Sequence, residues 1–309
     1  MISRLFALAG LIFGLVALPV FAGSDQEVSS TSGAVEEEPY KFSAEFTIEQ
    51  AYIGGSDVQR GNRLVNDFDE YYSHLAFVYT PRIKFGILRL GSQWERYSFG
   101  FTNGGQQLPN TLQAINSIVG LDTKFSDSIL VRLEAQPGFY GTSFDDLDGD
   151  SFNVPFVFGG TYIYSPEVQL VFGMGVNYQA RYPVLPGGGI RWKFSSDWTL
   201  NAVLPTPRLE YTANRNLTFF AGADIKANTF RTDDHFGDSH GDTGLNSALL
   251  SYEEIRAGAG ALWKINSSFT LSLEGGYVPY RQFDYHRTDV RYHYESGAPY
   301  GALFFHGEF

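Results

Sequence analysis

The sequence predicts an all-β chain folded as an antiparallel up-and-down transmembrane β-barrel of about 14 strands, with short periplasmic turns and long extracellular loops. Three observations predict it. Apolar and polar residues alternate with a period of two from Tyr40 onward. Short turns alternate with much longer links. Aromatic residues collect near both kinds of connection. Half-buried strands explain the first, a meander the second, and rings seated at two membrane–water interfaces the third.

The composition agrees. Aromatics reach 16%, with 27 Phe and 19 Tyr, and there are 34 Gly. That mixture favours strands and turns over helices. The net charge of −12 argues against nucleic acid, which needs clustered Lys and Arg. Cysteine is absent, which excludes disulfides, thiolate chemistry and a lipidated cysteine. At the start, Arg4 precedes an apolar run, Leu5 to Leu18, and the small-residue site Val20-Phe21-Ala22. This reads as a secretory signal over residues 1–22. Residues 23–39 are polar and acidic without periodicity and read as a disordered lead-in, leaving 40–309 for the barrel. No later run is long and apolar enough for a membrane helix.

The strands follow in order. Residues 40–52 place Phe42, Ala44, Phe46 and Ile48 on one face and Ser43, Glu45, Thr47 and Glu49 on the other. A long link over 53–69 leads to strands at 70–80 and 85–99, and another over 101–114 to 115–125. There Val119, Leu121, Thr123 and Phe125 oppose Asp122 and Lys124. The turn "KFSDSIL" leads into 128–140, where Ile129, Val131, Leu133 and Ala135 oppose Arg132 and Glu134. Beyond the link 141–151, strands 152–164 and 168–180 flank "YSPEVQL", and Leu170, Phe172 and Met174 oppose Gln169, Gly173 and Asn177. Strands 187–194 and 198–204 flank "KFSSDWTL", and 207–212 and 217–230 flank "TANRNLTF". After the link 231–250, strands 251–263 and 269–282 flank "KINSSFTL"; the link 281–298 precedes the last strand, 299–309. The weak stretch is 198–212, around Pro205-Thr206-Pro207, shorter than the roughly 9–11 residues a membrane strand needs. A 12-strand barrel is the alternative there.

Two aromatic bands are expected. Phe85, Phe125, Tyr164, Trp192, Trp198, Trp263 and Phe269 lie near the short turns. Tyr52, Tyr71, Trp94, Tyr97, Tyr140, Tyr178, Phe230, Tyr252, Tyr277 and Tyr300 lie near the long links. A soluble sandwich or lipocalin-like barrel would bury the apolar face and leave bands and long links without a cause. The stretch "VLPGGGIRWKFSSDWTLNAVLPTPRLEYT", residues 184–212, resembles a family of bacterial outer-membrane barrels known only as a domain of unknown function. The resemblance implies a barrel and an outer-membrane location. It implies no activity.

If the apolar face meets lipid, the other face lines the lumen. The candidate lining residues are Glu45, Arg89, Asp122, Lys124, Arg132, Glu134, Arg191, Lys193, Arg208, Glu210, Asp224, Lys226, Glu254, Arg256 and Glu274, with Glu49 and Glu95 beside them. Facing hydrocarbon, each Arg or Lys would cost about 2–4 kcal/mol at the midplane. Lining water, such charges make a selective polar pore; paired, they plug it. Two loops carry metal-like residues. Asp145, Asp146, Asp148 and Asp150 around Gly149 would suit Ca²⁺ but depart from EF-hand spacing. Asp233, Asp234, His235, Asp238, His240 and Asp242 match no closed metal site. A lipid hydrolase would need a serine beside one of His74, His286 or His293, yet no motif such as GxSxG marks a nucleophile. Phe305 and Phe309 on the last strand resemble the C-terminal aromatic signature that outer-membrane barrels present to their assembly machinery.

The function expected is therefore a passive, non-enzymatic pore for small polar solutes or ions in the bacterial outer membrane. Its partners are lipid and the barrel-assembly machinery, with no cofactor beyond the Ca²⁺ candidate. A closed structural or binding barrel is the alternative.

Overall fold

Strand length, more than strand number, shapes this molecule. The computed structural model describes residues 43–61, 63–102, 107–143, 149–288, 290–294 and 296–309. The sequence-predicted signal and lead-in fall outside them. The chain forms a closed antiparallel barrel of 14 strands. These are β1 (Ala44–Arg60), β2 (Arg63–Tyr79), β3 (Gly86–Phe101) and β4 (Thr111–Ser126), then β5 (Ile129–Ala135, resumed as Gly138–Gly141), β6 (Phe152–Asn153, resumed as Phe156–Ile163), β7 (Val168–Val176) and β8 (Val184–Lys193). They continue as β9 (Trp198–Val203), β10 (Arg208–Asn214), β11 (Leu217–Arg231), β12 (Leu249–Lys264), β13 (Phe269–Tyr285) and β14 (Val290–Tyr294, resumed as Ala298–Glu308). Neighbours in sequence pair in space, and β14 closes on β1 from Glu45↔Glu308 to Ile53↔Tyr300.

The tall strands β1, β2 and β13 have 17 residues each, well beyond what a membrane requires. β9 and β10 have 6 and 7, because Pro205 and Pro207 end the ladder between them. One side of the wall is therefore high and the arc β6–β10 is low. Above the low arc the tall strands close on themselves: Arg231 at the top of β11 bridges Gly141 at the top of β5. The upper tier thus contains nine strands, β1–β5 and β11–β14. Nine is odd, so its two edge strands run the same way, and the bridge between them is parallel. Arg231 also ties the junction, donating from Nε to the Asp150 carbonyl at 2.6 Å and from a terminal nitrogen to that of Ser247 at 2.6 Å.

Two links expected to be long loops are strand instead. Register shifts at Ile53/Ser56 and Val58/Gln59 absorb the irregular stretch around Gly54 and Gly55, and β1 and β2 pair up to Arg60↔Arg63. Gly61 turns this hairpin at φ 61°, a conformation that favours glycine. Likewise β13 runs on to Tyr285 and pairs with Val290–Tyr294. The bulges broke the period-two signal, so the sequence concealed the continuation.

Outside, an apolar belt is exposed: Leu90, Val119, Leu133, Leu170, Phe172, Phe219 and Leu303. The short-turn band is as expected, with Phe85, Phe125, Tyr164, Trp192, Trp198 and Trp263 exposed. At the middle of β7, Phe172→Arg should cost about 2–4 kcal/mol in urea titrations of folding into vesicles. Gln169→Arg, on the inward face of the same strand, should cost little.

Candidate functional site

The inward face divides into three layers. Uppermost is an aromatic plug. Tyr97 and Phe99 share parity with Glu95, Tyr252 with Glu254, and Phe283 with Arg281, so each alternating strand turns its rings inward. Phe99 lies 5.2 Å from Phe283 and 5.7 Å from Phe68; Tyr252 lies 4.9 Å from Tyr97. The loop after β11 adds a lid, in which helix α1 (Phe236–Ser239) and a 3₁₀ turn (Thr243–Leu245) bury Phe236 and Leu245 against the plug. Eight strands already close to a side-chain-filled interior, so a nine-stranded tier packs solid. This corrects the second aromatic band. Tyr52, Tyr71, Tyr178 and Tyr277 do face outward, but Tyr97, Tyr140, Phe230 and Tyr252 are buried in the plug. Tyr300 also turns inward, its hydroxyl donating to Glu274.

Below the plug lies a lattice of ion pairs that crosses the lumen. Arg256 on β12 reaches Glu49 on β1 at 3.1 Å, Glu254 at 2.6 Å and Glu70 on β2 at 3.5 Å. Arg281 on β13 reaches Glu70 at 3.2 Å, and Lys226 on β11 reaches Glu49 at 3.0 Å and Asp224 at 3.4 Å. Asn228 on β11 donates across to Glu95 on β3 at 2.9 Å. Tyr72 forms the floor for the cations: the Lys226 ammonium is 4.4 Å, and the Arg256 guanidinium 4.8 Å, from its ring centre. Glu70 and Arg281 were not among the expected lining residues. Both lie at the edge of a link that the sequence predicts, 53–69 and 281–298, where the alternation that would show their inward parity is broken.

Lowest is a vestibule of about 660 Å³, which reaches from Asn266 and Ser267 at the short-turn end to Pro155, Asn177 and Thr206 at the crest of the low wall. Of the expected residues, Glu45, Arg89, Arg132, Glu134, Arg191, Arg208, Glu210, Asp224, Lys226, Arg256 and Glu274 border it. Most are in ion pairs: Arg89 with Glu45 at 3.1 Å and Glu134 at 3.3 Å, Arg132 with Asp122 at 2.6 Å, Arg208 with Glu274 at 3.3 Å. Glu254 is sealed in the lattice above. Lys124 and Lys193 are exposed near the short turns, Lys124 bound to Asp127 at 3.0 Å.

The remaining candidates lie elsewhere. Asp145, Asp146 and Asp148 fall outside the described residues; Asp150 is exposed. In the β11–β12 loop the carboxylates bind the loop itself. Asp242 accepts from the Gly244 amide at 3.1 Å, and Asp238 accepts from Asn246 at 3.0 Å and lies 3.2 Å from His235. Those hydrogen bonds, Asn246 first, hold the Asp238 carboxyl below its usual range. Among the described residues no three His, Asp or Glu side chains are grouped to hold a metal. His74 borders the vestibule, while His286 and His293 lie at the far end of the barrel. Phe305 and Phe309 sit at the β14–β1 seam, where Phe46 is 5.3 Å from Phe305 and 6.4 Å from Phe309.

The sequence matches the family model of a domain of unknown function, DUF6268, over residues 108–304. The chain belongs to this family. No curated protein matches it. Among solved structures, an outer membrane channel from Pseudomonas putida F1 (COG4313) is 7% identical, covering 90% of this chain and 100% of its own, with a TM-score of 0.48. The toluene transporter TbuX of Ralstonia pickettii is 8% identical over 87% of this chain and 90% of its own, with a TM-score of 0.42. The porin KdgM, solved with disordered oligogalacturonate, is 8% identical over 85% and 99%, with a TM-score of 0.34. The family's description names no activity, so the site must be read from its own geometry.

Proposed function

We propose that this DUF6268 barrel sits in the bacterial outer membrane and passes small polar solutes through its charged vestibule, by a path that leaves over the low wall. The vestibule carries this reading: it runs from the short-turn end to the crest at Pro155, Asn177 and Thr206, while plug and lattice fill the axis. The exposed belt and the ring of aromatics near the short turns fit a bilayer on either side of that path. In this reading the short turns and both strand ends face the periplasm. Solutes enter past Glu45, His306 and Glu308 and meet mixed charges that hold polar groups. No catalytic step is part of this function.

Recording from single barrels in planar bilayers tests the reading. Small, well-resolved current steps are expected, and Thr206→Trp should lower them at least twofold by narrowing the crest. Absence of current from folded protein would overturn the path and leave a closed binding barrel, the reading favoured by the lattice.

A further inference from the structure

The vestibule has two unlike walls. Register sets the second one. On β6, β7 and β8 the inward rows are Val157–Gly175–Leu185, then Gly159–Gly173–Gly187, then Thr161–Val171–Gly189. Only the lowest row, Ile163–Gln169–Arg191, brings a charge. Directly under the crest the cavity is therefore bordered by the apolar row Val157–Gly175–Leu185, with a glycine at its centre, whereas the ion pairs stand on β5 beside it and on the arc beyond β9. Such a surface gives water few partners and gives an apolar body close contact with backbone.

A second observation comes from the charged arc. Arg256 is 2% exposed and borders the cavity, and its Nε–H has no hydrogen-bond partner. Its register partner across the β11–β12 ladder is Asp224, whose Oδ1 is likewise buried and without a hydrogen-bond partner. One donor and one acceptor thus stand side by side at the cavity, and buried polar groups left unmatched are costly. A hydroxyl group serves both, since it accepts from one and donates to the other. A carboxylate head would meet Glu49, Glu70, Asp224 and Glu254 around the lattice. An ammonium head could not accept from Arg256.

We infer that the vestibule binds a small neutral amphiphile, with its hydroxyl between Arg256 and Asp224 and its apolar body against the row Val157–Gly175–Leu185 of β6–β8. The inference rests on the proposed path in taking the vestibule as the place a solute enters. A cavity of about 660 Å³ lies within the range of small-molecule sites, roughly 300–1,000 Å³.

Binding of 1-hexanol to the full chain in nanodiscs, read by saturation-transfer NMR against empty nanodiscs, tests it. Saturable binding at least tenfold tighter than for methanol, hexanoate or hexylammonium is expected. Gly175→Leu, which fills the apolar wall, and Leu185→Asn, which wets it, should each weaken hexanol binding at least fivefold. Heat-modifiable gel migration confirms that both variants fold. Equal binding of methanol, or of either charged analogue, would overturn the proposal. So would hexanol binding that neither variant weakens, or none at all. Current recorded from the same preparation separates the two readings. Hexanol binding without current would overturn the path alone; current without hexanol binding would overturn the ligand class alone.

Discussion

Replacing Arg256 by alanine should destabilise the barrel by about 3–5 kcal/mol, the range for breaking a buried ion pair by removing one partner. It should also raise the single-barrel current, because Arg256 borders the vestibule and its loss widens the path there. Both effects come from one geometry. Arg256 joins Glu49, Glu70 and Glu254 on three strands, and the side chains of Glu70 and Glu254 are fully buried. Without the guanidinium three carboxylates face one another with only Arg281 and Lys226 to offset them. Water and counter-ions must then enter, and the lattice becomes a wet gap. Urea titration of vesicle-embedded protein reads the first effect, and planar-bilayer recording the second. The paired change Arg256→Met with Glu254→Met should recover much of the lost stability, since apolar groups of similar volume often replace a buried pair without loss. It should not raise the current, because the gap stays filled. If Arg256→Ala left stability unchanged, the lattice would have to be hydrated already.

How much of this was legible beforehand differs by layer. The belt was plain in Leu170, Phe172 and Met174, whose alternation with Gln169 and Gly173 survives unbroken on β7. The low wall was visible too, as short segments around Pro205 and Pro207. Parity alone turns Glu49, Arg89 and Arg256 inward, but it does not reach Glu70 and Arg281 at the edges of the links. Which charges meet does not follow from it, because Arg256 and Glu49 stand on strands three apart around the wall, and that contact depends on tilt and lumen width. The plug is hidden for a different reason. Tyr97 and Tyr252 lie at the same distance from the long links as Tyr71 and Tyr277, and only parity separates a ring that faces lipid from one that faces the lumen. Counted against Glu95 and Glu254, both tyrosines point inward. Nothing in the sequence announced the upper tier. It arises because β11 and β5 outrun the five strands between them.

That tier makes the second large prediction. Phe99 is 5% exposed and lies between Phe68, Tyr252 and Phe283 at 5.7, 5.4 and 5.2 Å. Phe99→Ala should cost about 3–5 kcal/mol, as transfer and cavity terms add in a core with little room to collapse. Tyr71→Ala, on the outward side and half exposed, should cost clearly less in the same urea titration. Phe283 touches the same rings, so Phe99→Ala and Phe283→Ala should not add, with a coupling of about 0.5–3 kcal/mol. The double variant also decides what the plug does. If the rings close the axis and divert solutes over the low wall, removing two of them opens a second route. Current through that variant should then persist when Thr206→Trp is added, although Thr206→Trp alone lowers it. If Thr206→Trp lowers the current equally in both backgrounds, the axis is closed by the lattice beneath, and the plug serves only to hold the upper strands together.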